Sequence, residues 1–216
     1  VARHALTSLA SGLAATALVV ACSSDGDSSS DNGPTMTPSS EAGLVDRARL
    51  PAPLHPDASC PVTIDTPELL PGTHVPEGTP ITYSSNPPSS GPHYIIWANF
   101  QEFSTPVELP YLVHSLEHGA ILLLYKPCPD ANACAPIVEG LRKVREAVPT
   151  DPLCDSETRV RVVIAPDPQL DVPVAAAAWG WTYKADCVDL PTLTDFAKAH
   201  YAQGTENLCA PGKATF

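Results

Sequence analysis

The sequence predicts an α+β fold: a single domain with a small central sheet, two or three helices and disulfides. Three observations carry that expectation. Ile121-Leu122-Leu123-Leu124-Tyr125 is apolar on both faces and Arg159 to Ala165 becomes so, as expected of strands inside a sheet. Segments starting at Pro136 and Asp189 place apolar residues at helical spacing. The chain holds seven cysteines, and setting Cys22 aside leaves Cys60, Cys128, Cys134, Cys154, Cys187 and Cys209, an even set that fits disulfides in an exported protein.

Residues 1–21 read as a signal peptide. Arg3 and His4 precede a weakly apolar Ala- and Leu-rich run, interrupted by Thr7, Ser8, Ser11 and Thr16. It falls short of the roughly 20 unbroken apolar residues of a membrane span. Val19-Val20-Ala21-Cys22 resembles a bacterial lipobox, in which the cysteine is acylated and becomes the mature N-terminus. Lipidation at Cys22 implies a cell-envelope protein held on the outer side of the cytoplasmic membrane or on the outer membrane, with the bilayer as its partner. Residues 22–56 are Ser, Asp, Pro and Gly with few large apolar side chains, a composition that predicts a disordered acidic tether. Residues 57–216 are long enough for one domain with its own core.

Without the signal peptide, 11 Lys and Arg face 24 Asp and Glu. So acidic a chain is a poor partner for nucleic acid or anionic lipid headgroups, and it names no protein partner.

Along the domain, prolines at 61, 67, 71, 76 and 80 exclude long helices and leave short extended pieces such as Pro61 to Ile64 and Pro80 to Ser84. In Pro87-Pro88-Ser89-Ser90-Gly91-Pro92-His93, prolines stiffen the loop and Gly91 permits a tight bend, so His93 is presented rigidly. Ile95, Ile96, Trp97 and Phe100 are expected to bury that loop against the core. Leu109 to His118 predicts a helix that places His114 and His118 one turn apart on one face, and Gly119 supplies the left-handed residue that ends it. After the strand 121–125, Pro136 fits the first turn of a helix carrying Leu141, Val144 and Val148 inward. Residues 172–183 read as a strand whose alanines permit close packing, and Asp189 caps a last helix running to about Ala202. Six thiols allow 15 pairings. The inferred topology suggests Cys128 with Cys134, Cys154 with Cys187, and Cys60 with Cys209.

The landmarks Pro87-Pro88-Ser89-Ser90-Gly91-Pro92-His93, Leu112-Val113-His114-Ser115-Leu116-Glu117-His118-Gly119, Ala178-Trp179-Gly180 and Asp195-Phe196 together resemble a widespread bacterial domain of unknown function, often found in exported or membrane-anchored proteins. The resemblance spans about Thr82 to Glu206 and carries no established activity. It implies only that His93, His114, Glu117 and His118 occupy motif positions.

Chemically, His93, His114 and His118 suit a mononuclear zinc or copper site, with Glu117 orienting a ring or taking a proton from bound water. An alternative is a metal-free structural or binding module built on a hydrogen-bonded His and Glu cluster. A second is a zinc-dependent hydrolase, since His114-x-x-Glu117-His118 repeats the H-x-x-E-H order of inverted zinc peptidases, with Glu206 as a later carboxylate. His55, His74 and His200 read as surface residues, and Trp179 and Trp181 as core. Without a glycine-rich phosphate loop, G-x-S-x-G or a nucleophilic cysteine, phosphoryl transfer and serine or thiol hydrolysis are disfavoured.

Overall fold

The computed structural model describes residues 58–216; the expected signal peptide, Cys22, the tether and His55 lie outside the described residues. In chain order the elements are β1 (Val62–Asp65), β2 (His74–Val75), β3 (His93–Tyr94), α1 (Leu109–Glu117), β4 (Ile121–Tyr125), α2 (Ala131–Ala147), β5 (Val162–Pro166), β6 (Val174–Ala178), β7 (Trp181–Ala185) and α3 (Leu190–His200). Five strands form one mixed sheet in the order β1-β7-β6-β4-β5, with β4 and β5 parallel and the other pairs antiparallel; β2 and β3 pair in parallel as a small second sheet. The fold is α+β, as the sequence predicts.

The sheet is covered on both faces, which explains why its inner strands are apolar throughout. Because side chains alternate, Leu122, Leu124, Val163, Ala165, Ala175 and Ala177 pack toward α1 and the loops around residues 94–107. Ile121, Leu123, Val162, Ile164, Ala176 and Ala178 pack toward α2 and α3. Beyond β5, the edge is covered by residues 101–103: Phe103 N–H donates to Ile164 O (2.8 Å) and Ile164 N–H to Gln101 O (3.0 Å).

Several local expectations change. Residues 172–183 are not one strand but a hairpin, because Gly180 (φ +79°) turns the chain between the paired Ala178 and Trp181. The second helix starts five residues before Pro136, at Ala131, because Asp130 accepts from Ala133 N–H and caps it there. Pro80 to Ser84 forms no strand. Ile95 and Ile96 are exposed, and it is Phe100, not they, that enters the core. The disulfides are Cys60–Cys187, Cys128–Cys134 and Cys154–Cys209. Two of the three suggested pairings are therefore exchanged. Cys60 precedes β1 and Cys187 follows β7, and the antiparallel pairing of those strands brings the two cysteines together. Among the described residues, no helix is long and apolar enough to cross a membrane.

Candidate metal centre

The centre forms where α1 ends against the small sheet. Gly119 N–H donates to Leu116 O (2.8 Å) and Ala120 N–H to Ser115 O (3.0 Å), the paired closing bonds of a Schellman end, with Gly119 at φ +81°. Any side chain at Gly119 would also meet the Ala202 backbone. The last turn of α1 therefore stops sharply, with His114 and Glu117 buried beneath the proline-rich loops.

Four side chains converge there. One donor atom from each of His74, His93, His114 and Glu117 lies within 4.8 Å of every other. Around Glu117 Oε2 stand His93 Nε2 at 2.9 Å, His74 Nε2 at 3.7 Å and His114 Nε2 at 4.0 Å. An ion with bonds of 2.0–2.1 Å in tetrahedral geometry needs donors about 3.3 Å apart, inside that spread. Small side-chain rotations would close the set.

The ring tautomers follow from the backbone. His93 Nδ1 lies 2.8 Å from Gly91 O, and His114 Nδ1 lies 2.6 Å from Tyr94 O. A carbonyl only accepts, so in each ring Nδ1 carries the proton and the neutral ring presents a lone pair at Nε2. In that neutral form both lone pairs face a carboxylate, which is also an acceptor. Burial pushes the His114 imidazole down to about 4, with the neighbouring rings adding to it against the Tyr94 contact, so at neutral pH it carries no second proton. Burial by itself would raise the Glu117 carboxyl, but the imidazoles around it, His93 nearest, outweigh that once one of them carries a second proton, and hold it below the usual range.

Three other segments fix the group. Gly91, at φ +124°, bends the loop so that its own carbonyl meets His93, and a side chain there would press on Leu70 and Tyr83. Gly72 lies so close that an added Cβ would come within 2.6 Å of Glu117 Oε1. The C-terminal segment braces Glu117: Glu206 N–H donates to its backbone carbonyl (2.8 Å) and Thr205 Oγ1 to Oε1 (3.3 Å). That segment is tied in by Cys154–Cys209 and by Asn207, whose Oδ1 accepts from the buried Arg161 guanidinium (2.8 Å). Arg161 also donates to His118 O (2.7 Å) and pairs with buried Asp151 (2.7 Å), so one charged network supports the helix end.

His93, His114 and Glu117 thus meet as the sequence suggests, with Glu117 among the donors instead of behind them. His118 does not join the group. It is the C-cap of α1, where the backbone leaves the helix; its ring lies against Trp97 (4.5 Å) and its Nε2 faces Glu206 (3.1 Å). Its pKa falls to about 4, chiefly through burial. The two histidines of the H-x-x-E-H order lie ring to ring (4.6 Å) and share Trp97, but their Nε2 atoms face different carboxylates, Glu117 for His114 and Glu206 for His118, so the geometry gives the hydrolase reading no support. In place of His118 stands His74, which the sequence offers only as a surface residue. Its parallel pairing with His93 brings it in, and the only local trace is a glycine two residues before it, where the chain must pass closely. His200 is likewise buried, stacked on Trp181 at 4.4 Å, and belongs to the opposite face of the sheet.

No curated protein and no solved structure matches the chain. One family does, over residues 74–212, a span that contains the expected resemblance and opens at His74 itself. The chain belongs to the family described as protein of unknown function, DUF3105.

Proposed function

We propose that this domain binds one divalent transition-metal ion through Nε2 of His74, His93 and His114 and a carboxylate oxygen of Glu117. The observation that carries the reading is the facing of lone pairs. Two imidazoles, each held by a backbone carbonyl at Nδ1, turn Nε2 toward one carboxylate, at 2.9 Å and 4.0 Å, and in the neutral ring that atom is a bare acceptor. Facing acceptors repel, and a cation between them reverses the sign of every contact in the cluster. Three imidazoles and one carboxylate, without thiolate or thioether, suit Zn²⁺ or Cu²⁺, and Cu²⁺ prevails at equal availability.

A metal-free cluster is the second reading, favoured by one distance: a His93 imidazolium would satisfy Glu117 at 2.9 Å. One such proton leaves His114 Nε2, 4.0 Å from Glu117, without a donor. The two readings part in one experiment. Elemental analysis of the purified domain, followed by melting with and without added Zn²⁺ or Cu²⁺, should find near-stoichiometric metal and a metal-dependent rise in Tm. No bound metal and no shift would leave the hydrogen-bonded cluster. The same reading places the protein outside the cytoplasm, anchored to a membrane through lipid on Cys22. The lipobox-like Val19-Val20-Ala21-Cys22 and the disulfide-paired cysteines support that placement, and the acidic composition argues against nucleic acid as a partner.

A further inference from the structure

The four donors are unequal in exposure. The His93 side chain is 0% exposed, His114 3% and Glu117 10%, whereas His74 is 47% exposed. They are unequal in support as well. His93 is held by Gly91 O, His114 by Tyr94 O and Glu117 by Thr205. Among the described residues the His74 ring has no hydrogen bond; it rests edge-on against His93 (4.9 Å) and beside His114 (4.8 Å). His114 and Glu117 belong to a helix packed on the sheet, but His74 sits on a strand of two residues paired only to β3.

A bound ion leaves by exchanging ligands one at a time for water or another donor, and exchange starts where solvent reaches. In this centre that place is His74. Resting on the metal-binding reading above, we propose that His74 is the exchange ligand of the site. An ion held by His93, His114 and Glu117 is loaded and released on the His74 side, and the position that His74 vacates accepts an external nitrogen donor of the imidazole class. The site then handles a transferable ion instead of locking a permanent structural one. A structural ion would be closed by four buried ligands.

The test uses Co²⁺, which takes zinc-like geometry and absorbs visible light. Wild type, His74→Ala and His114→Ala are loaded with Co²⁺, and release to excess EDTA is followed by stopped flow, with and without millimolar imidazole. Circular dichroism checks folding, and His74, being half exposed, should tolerate replacement. The expected result is a tenfold or faster release from His74→Ala. Imidazole should slow that release and restore the wild-type spectrum. His114→Ala, with its gap buried, should not be restored. Release from His74→Ala at the wild-type rate with an unchanged spectrum overturns the exchange role while leaving metal binding intact. Loss of all Co²⁺ binding by His74→Ala that imidazole does not recover also overturns it, because His74 would then be integral. Wild type that takes up no Co²⁺ overturns the metal reading itself, and this inference with it.

Discussion

Replacing Glu117 with Gln should move two quantities in opposite directions. In the metal-free protein the Gln amide supplies the proton that the carboxylate lacks. Two facing acceptors 2.9 Å apart become a hydrogen bond worth about 1 kcal/mol. For a folded unit of this size that is about 2–4 °C in Tm, so the metal-free variant should melt at or slightly above wild type. The ion reverses the comparison. At a free concentration of about 100 times Kd, wild type gains about 2.7 kcal/mol, or about 5–11 °C. Residues that merely orient metal ligands are worth about 10–100-fold in affinity, so losing a ligand carboxylate costs about 100-fold or more. The same concentration then equals Kd, and the gain shrinks to about 0.4 kcal/mol, about 1 °C. Differential scanning calorimetry with and without Zn²⁺ and Cu²⁺ reads both effects. The reasoning fails if the metal-free Gln variant melts several degrees lower and neither protein responds to metal, because Glu117 would then be the acceptor of an imidazolium and no more.

Two further outcomes test the surroundings. His200 is buried against Trp181, neither ring nitrogen has a hydrogen-bond partner among the described residues, and burial lowers its pKa to about 4. Unfolded, it titrates near 6.5, so between those values the unfolded state binds the extra proton and the wild type loses stability as pH falls. Below about 4 the loss levels off. Denaturant melts of metal-free wild type and His200→Phe from pH 7 to 4 should show the variant gaining on wild type by about 3 kcal/mol; a gap that stays constant refutes a neutral buried ring. Gly72→Ala drives a Cβ toward Glu117 Oε1 and Trp179. It should cost about 1–3 kcal/mol by overpacking and reduce the metal-induced Tm rise, both measured by the same calorimetry. An unaltered metal response would mean that the loop at residue 72 does not shape the centre.

Much of this arrangement is local and was legible in residue order. Apolar strands identify the sheet, Gly119 ends α1 by a left-handed residue, Asp189 caps α3 through Thr192 N–H, and Gly91 bends the loop that presents His93. Each depends on dihedral preference or on partners within a few residues. His118 shows where such reasoning stops. A spacing of four does set the His114 and His118 rings side by side, 4.6 Å apart, but it does not decide where their nitrogens point: Glu206, far away in sequence, faces His118 Nε2 and keeps it out of the donor group.

What the sequence determined by itself is the α+β class, the buried strands, the helix that carries His114 and Glu117, and the rigid loop that carries His93. The fourth donor and the partners of Cys60, Cys154, Cys187 and Cys209 were settled by tertiary structure, whereas Cys128 and Cys134 pair as their short spacing suggests. His74 joins the centre only because β2 pairs in parallel with β3, setting His74 opposite His93 across eighteen intervening residues. Cys60 meets Cys187 only because β1 and β7 lie side by side. Strand pairing is a choice among many long-range registers, settled by burial of the whole core, and no short stretch of residues encodes it.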